Sequence, residues 1–202
     1  MAAALPLVSV PALERLSQLD TAYVHQTNTG YRGNNYTVFG KDEEVVLTLD
    51  EIVPDTIFRG GAHRAFRFEG VDRTGRKLFS FNRPSGTLFI TNRVELFMND
   101  GLVSIIHMAR TFFTPIFNIN DAQDNPVIRL KGHIPDTTYF QLQTPTKAAI
   151  GGVQKKNLGW RKEMASHKDD YIIYFPADLA VPYKLAVIVA CVYIDFRFHE
   201  GK

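Results

Sequence analysis

From Leu185 to Ile194 every residue is apolar, counting the aromatic Tyr193, with Lys184 before the run and Asp195 after it. A helix made from this stretch has no polar face, so it must be buried on every side, in protein or in lipid. Ten residues of helix rise about 15 Å, half of a roughly 30 Å hydrocarbon core. Centred in a bilayer, Lys184 and Asp195 would each sit about 8 Å from the midplane. Charges near the centre cost about 2.5–3.5 kcal/mol each on insertion scales. A closed β-barrel threaded by the same helix would bury the run and keep both charges near its mouths. This arithmetic favours the barrel and leaves a membrane span as the alternative. Asp178, after Pro176, is a candidate helix N-cap. Pro182 fits only a first helical turn, so the helix proper is expected to begin near Val181. The side chains expected to fill the core are Leu185, Val187, Ile188, Val189, Cys191 and Ile194.

The rest of the chain reads as β. Tyr36–Phe39 and Val45–Leu49 flank Gly40-Lys41-Asp42; Ala65–Val71 and Lys77–Phe81 flank Asp72-Arg73-Thr74-Gly75. Phe112–Ile119 and Val127–Leu130 flank Asn120-Asp121-Ala122, and Asn99-Asp100-Gly101 joins Val94–Met98 to Leu102–His107. Each unit is a strand, a cluster of turn residues and a strand, the plan of an antiparallel hairpin. Many short, evenly spaced strands favour a barrel or sandwich over a parallel sheet. No long polar linker divides the 202 residues, so one domain is expected over 13–202, after an N-terminal arm over 1–12.

Composition narrows the function. With 45% hydrophobic and 22% charged residues, the chain is no disordered tail. A net charge of +2 gives no global field for nucleic acid. No nucleophile elbow, phosphate-binding glycine loop or zinc-protease helix motif occurs, and Arg83-Pro84-Ser85-Gly86 reads as a turn. Charge is nonetheless uneven: between Lys147 and Lys168 lie six basic residues against Glu163 alone, with Trp160 among them. Lysines near an anionic leaflet and an indole at the interface are the chemistry of lipid contact. Lys155, Lys156, Trp160, Arg161 and Lys162 are therefore candidates for contact with lipid or with an import receptor, against a plain solvated loop. Asp169, Asp170 and Asp178 could supply carboxylate oxygens to calcium, against a turn and a strand.

Several separated blocks resemble the phospholipid scramblases. They are Leu13-Glu14-Arg15-Leu16-Ser17-Gln18-Leu19-Asp20 followed by Val24-His25-Gln26, then Tyr36–Phe39, Phe66–Pro84 and Val127–Gly132. Most specific is Phe175-Pro176-Ala177-Asp178-Leu179, leading through Lys184, Ala186-Val187 and Ala190-Cys191 to Tyr193-Ile194-Asp195-Phe196. The resemblance implies a tubby-like fold, a closed antiparallel barrel of about a dozen strands around a central apolar C-terminal helix. It implies a lipid transporter rather than an enzyme, working by calcium-dependent, ATP-independent, bidirectional movement of phospholipids between leaflets. It implies a place on the cytoplasmic face of the plasma membrane, with cytosolic or nuclear fractions. Its partners would be anionic phospholipids, proteins and further copies of the chain. The family's calcium segment falls on His167–Asp178, with His167 at a position that is usually acidic. The alternative is a tubby-like adaptor that binds anionic lipid or protein and transports nothing.

Overall fold

The computed structural model describes residues 10–28, 33–53, 65–84, 92–109, 114–133, 136–156 and 170–199. Helix α1 (Pro11–Gln18) precedes twelve strands and a long helix. The strands are β1 (Thr21–Asn28), β2 (Asn35–Phe39), β3 (Val45–Glu51), β4 (Phe66–Val71), β5 (Lys77–Arg83) and β6 (Arg93–Met98). There follow β7 (Gly101–Ala109), β8 (Ile116–Asp121), β9 (Pro126–Lys131), β10 (Tyr139–Gln143), β11 (Ala149–Lys156) and β12 (Asp170–Tyr174). Helix α2 spans Val181–Phe198. Each strand pairs antiparallel with the next, and β12 returns to pair with β1, so the sheet closes into a barrel without edges.

Turn chemistry sets the registers. Asn99 and Asp100 both have positive φ (48° and 60°), which gives a two-residue hairpin whose twist matches the flanking strands. The other four tight turns share one hydrogen-bond plan. In 72–76, the Gly75 amide donates to the Asp72 carbonyl, and the Asp72 amide to Arg76. Turns 40–44, 121–125 and 144–148 repeat it. The fourth residue takes positive φ in each: Glu43, Gly75, Asp124 and Lys147. The left-handed residue of the first turn is Glu43, one past Gly40-Lys41-Asp42, and the third hairpin turns at 121–125, later than its apolar pattern suggests.

Alternation puts one face of every strand inside. Phe68 and Phe81 stack at 4.9 Å between ring centroids, and Phe66 lies 4.8 Å from Phe196 of α2. Every residue of α2 from Leu185 to Ile194 is 0% exposed. The barrel therefore encloses the helix on all sides. Ala180 is the N-cap residue, without a side-chain capping bond, and Pro182 lies in the first turn. Asp178 sits in the preceding turn and does not cap, because the helix starts three residues later. Helix α1 has no counterpart in the sequence expectations; its Leu16 is fully buried and it packs against α2.

Candidate functional site

Up-and-down topology sends alternate connections to opposite ends of the barrel. One rim carries the five tight turns, α1 and the start of α2. The other rim carries the strand ends joined by the longer connections, among them 52–65 and 157–169, and the end of α2. Tight hairpin loops have two to five residues, so the long-connection rim is where the fold leaves room for function.

Among the described residues the barrel interior is filled by α2 and the inward side chains around it. At the tight-turn rim the Lys184 ammonium, 0% exposed, donates to three backbone carbonyls: Ser17 at 2.7 Å, Leu19 at 2.6 Å and Ala177 at 3.0 Å. Burial pulls its pKa below the ordinary lysine value, while Asp20 and Asp178 pull the other way. Toward the opposite rim the Asp195 carboxylate, 2% exposed, accepts from Tyr36 at 2.8 Å and Tyr171 at 2.7 Å. Both charges bracketing the apolar run are buried, Lys184 at the tight-turn mouth and Asp195 toward the other, and each is held by hydrogen bonds made from other elements. A buried charge needs such bonds, since unpaired it would cost several kcal/mol or about that much in a shifted pKa. Cys191, between them, is buried, and desolvation pushes its thiol well above its ordinary pKa. That makes it a packing residue rather than a reactive one.

The expected site residues divide as follows. Lys155 and Lys156 end β11 at the long-connection rim. Lys155 shares the inward face of buried Val153, and its Nζ lies 5.6 Å from the Tyr171 ring centroid. Lys156 points outward, Nζ 4.8 Å from the Tyr23 ring. Trp160, Arg161, Lys162, His167 and Asp169 lie outside the described residues. Asp170 begins β12, paired with His25 and Lys156. Asp178 lies past the other end of that strand, in the turn before α2. An extended strand rises about 3.3 Å per residue, which puts Asp170 and Tyr174 about 13 Å apart. Asp170 and Asp178 thus flank β12 at opposite ends. Among the described residues no three His, Cys, Asp or Glu side chains converge as a metal site.

Two features escaped the sequence expectations. Arg83 is no turn residue: it ends β5, 2% exposed, its guanidinium 5.4 Å from the Tyr193 ring. Burial lowers its pKa and raises that of Tyr193. Its spacing from Phe79 and Phe81 on the inward face was the available signal. The Tyr36–Asp195–Tyr171 network had none, because it joins residues far apart in the chain. On the outer wall, a groove of about 210 Å³ lined by Arg67, Lys77, Ser80, Asn82 and Phe97 falls short of the roughly 300–1,000 Å³ typical of small-molecule sites. Among the described residues no helix is long and apolar enough to cross a membrane.

The model of the Scramblase family matches residues 1–201. The chain is 26% identical over 216 residues to phospholipid scramblase 1 of Mus musculus, covering 96% of this chain and 66% of that protein. It is 27% identical over 222 residues to phospholipid scramblase family member 5 of Homo sapiens, covering 97% and 80%. It thus spans just under two thirds of the mouse relative. Among solved structures it resembles a protein from Arabidopsis thaliana, with TM-score 0.52, 10% identity and coverage of 87% and 90%. That likeness concerns the fold alone.

Proposed function

The chain belongs to the Scramblase family, and from that premise we propose that it mediates bidirectional movement of phospholipids between bilayer leaflets, without ATP. The single observation that shapes this reading is the filled barrel. With α2 enclosed and both of its flanking charges held, lipids cannot pass through the middle. They would move along the outside of the protein, or through bilayer it disturbs. The proposal places the protein against membrane phospholipids at the cytoplasmic face of the plasma membrane. Calcium dependence belongs to the same proposal. Asp169, Asp170 and Asp178 are the candidate carboxylates, and an assay decides it.

The test is a liposome assay with a fluorescent phospholipid, run with and without calcium. Faster loss of leaflet asymmetry on adding the protein is expected. No acceleration at high protein-to-lipid ratio would overturn the reading in favour of a membrane-binding adaptor. If calcium accelerates the reaction, Asp169→Ala with Asp170→Ala should blunt the response while Asp178→Ala leaves it.

A further inference from the structure

The outer wall of a barrel standing in water should be polar, and over one sector it is. Cross-strand partners line up Arg93, His107, Asn118, Arg129 and Gln143 in one outward row from β6 to β10. The sector across β10, β11, β12, β1 and β2 is different. Its registers align Tyr139, Gln154, Ile172, Tyr23 and Phe39 in one row. Each alternates with buried neighbours such as Phe140, Val153, Ile173, Val24 and Val38, so each faces out. Five strands at about 4.8 Å spacing make the row about 19 Å wide.

The next row toward the tight turns runs Lys131, Gln141, Gly152, Tyr174 and Thr21. Tyr139 and Tyr174 are 43% and 42% exposed, and with Ile52 they are the exposed large hydrophobic residues among those described. Gly152 lies between them: a Cβ there would meet the Tyr139 ring at 2.8 Å, so the missing side chain lets that ring lie against the strand. Neither row contains a carboxylate. Lysines flank both: Lys131 lies in one row, and Lys156, one row above the other, stands over the Tyr23 ring with Asp170 as its partner on β12.

We propose that this β10–β11–β12–β1–β2 wall is the face that docks on a lipid surface, with its tyrosines at the headgroup level and Lys131 and Lys156 on anionic headgroups. Tyrosine has an apolar ring and a polar tip, the combination that suits the membrane–water boundary. The basic flanks complement an anionic leaflet. Neither row carries a carboxylate for the lysines of a second copy to meet, so charge complementarity favours an anionic leaflet over a face-to-face dimer. The inference rests on reading the chain as a phospholipid-handling protein and adds which wall meets the lipid.

The test is co-sedimentation of the full chain with vesicles of phosphatidylcholine plus phosphatidylserine, and of phosphatidylcholine alone. Tyr139→Ser with Tyr174→Ser should weaken binding about tenfold, since exposed aromatic anchors are lost at little cost to the fold. Lys156→Gln should weaken binding to the anionic vesicles about fivefold and leave binding to the neutral ones unchanged. Lys77→Gln, the same charge change on β5 and outside this wall, should alter neither. Equal binding by all variants, or equal loss from Lys77→Gln, would overturn the proposal. So would a concentration-dependent dimer that the tyrosine pair abolishes while vesicle binding persists. A chain that docks through this wall yet moves no lipid would overturn the transport reading and leave the docking face standing.

Discussion

Replacing Lys184 by Met keeps the aliphatic stem and removes the ammonium. The three carbonyls of Ser17, Leu19 and Ala177 then lose a shared donor. Hydrogen bonds to a charged group contribute about 1.5–3 kcal/mol each, a gross loss of roughly 5–9 kcal/mol. Ser17 and Ala177 are exposed residues, so water can take over part of the bonding, and the methionine is spared the cost of burying a charge. We therefore expect a net loss of about 4 kcal/mol, a large share of the roughly 5–15 kcal/mol that holds a domain folded. Urea denaturation followed by tryptophan and tyrosine fluorescence measures it. Because the three carbonyls belong to the end of α1, the segment after it and the turn before α2, the variant should also be cut faster by protease near Ser17. Lys41→Met, which removes an exposed pair with Asp20 at 2.7 Å, is the control and should change little. Lys184 has a second signature. Its folded pKa lies below the unfolded one, so between the two values the unfolded chain binds more protons and stability rises with pH. The methionine variant should lose that alkaline rise. A loss under about 1 kcal/mol with unchanged proteolysis would refute the view that Lys184 ties α1 to the central helix.

Other outcomes follow from the same geometry. Asp195→Ala removes the carboxylate that the Tyr36 and Tyr171 hydroxyls donate to and should cost about 3 kcal/mol in urea denaturation; adding Tyr36→Phe and Tyr171→Phe should recover part of it, and a cost that simply adds would count against the network. Phe68→Ala should cost about 3–5 kcal/mol, and Phe81→Ala in the same chain less than a second full increment, because the two rings stack on each other. Carboxylates at the tight turns titrate low: Glu44 chiefly through the Arg15 hydrogen bond, Asp72 through Thr74, Asp121 through Asn125. Their stabilisation is complete above the ordinary carboxylate range of about 4 and is lost as pH falls through the lower folded values, so the urea midpoint should drop in acid; a midpoint that rises there would contradict the assignment.

The barrel was largely legible because its determinants are local. Asn99-Asp100-Gly101 and Asp72–Gly75 carry turn chemistry that any antiparallel hairpin needs. The apolar run from Leu185 to Ile194 allowed only burial on all sides. What stayed hidden depends on partners distant in sequence. Glu43 and Lys147 adopt positive φ without being glycine, asparagine or aspartate, because the strands they join impose the turn. Lys184 and Asp195 read as charges near the mouths; nothing local shows that Ser17 and Leu19, or Tyr36 and Tyr171, are the groups that hold them there. Asp170 and Asp178 look like neighbours in the chain, but the extended strand β12, which Asp170 begins, puts them toward opposite rims. The aromatic row on the outer wall is written in single residues of five strands, so it emerges only once the registers are known.

The central claim is that α2 stays inside the barrel and that lipid meets the outer wall. A phospholipid carrying a photoactivatable group in its acyl chain tests it directly, with labelled residues mapped by mass spectrometry from vesicles in which lipid is moving. The account predicts label on β10, β12 and β1, around Tyr139, Ile172 and Tyr23, and none on residues 185–194. Label along Leu185–Ile194 would contradict it, showing that the helix leaves the barrel for the bilayer.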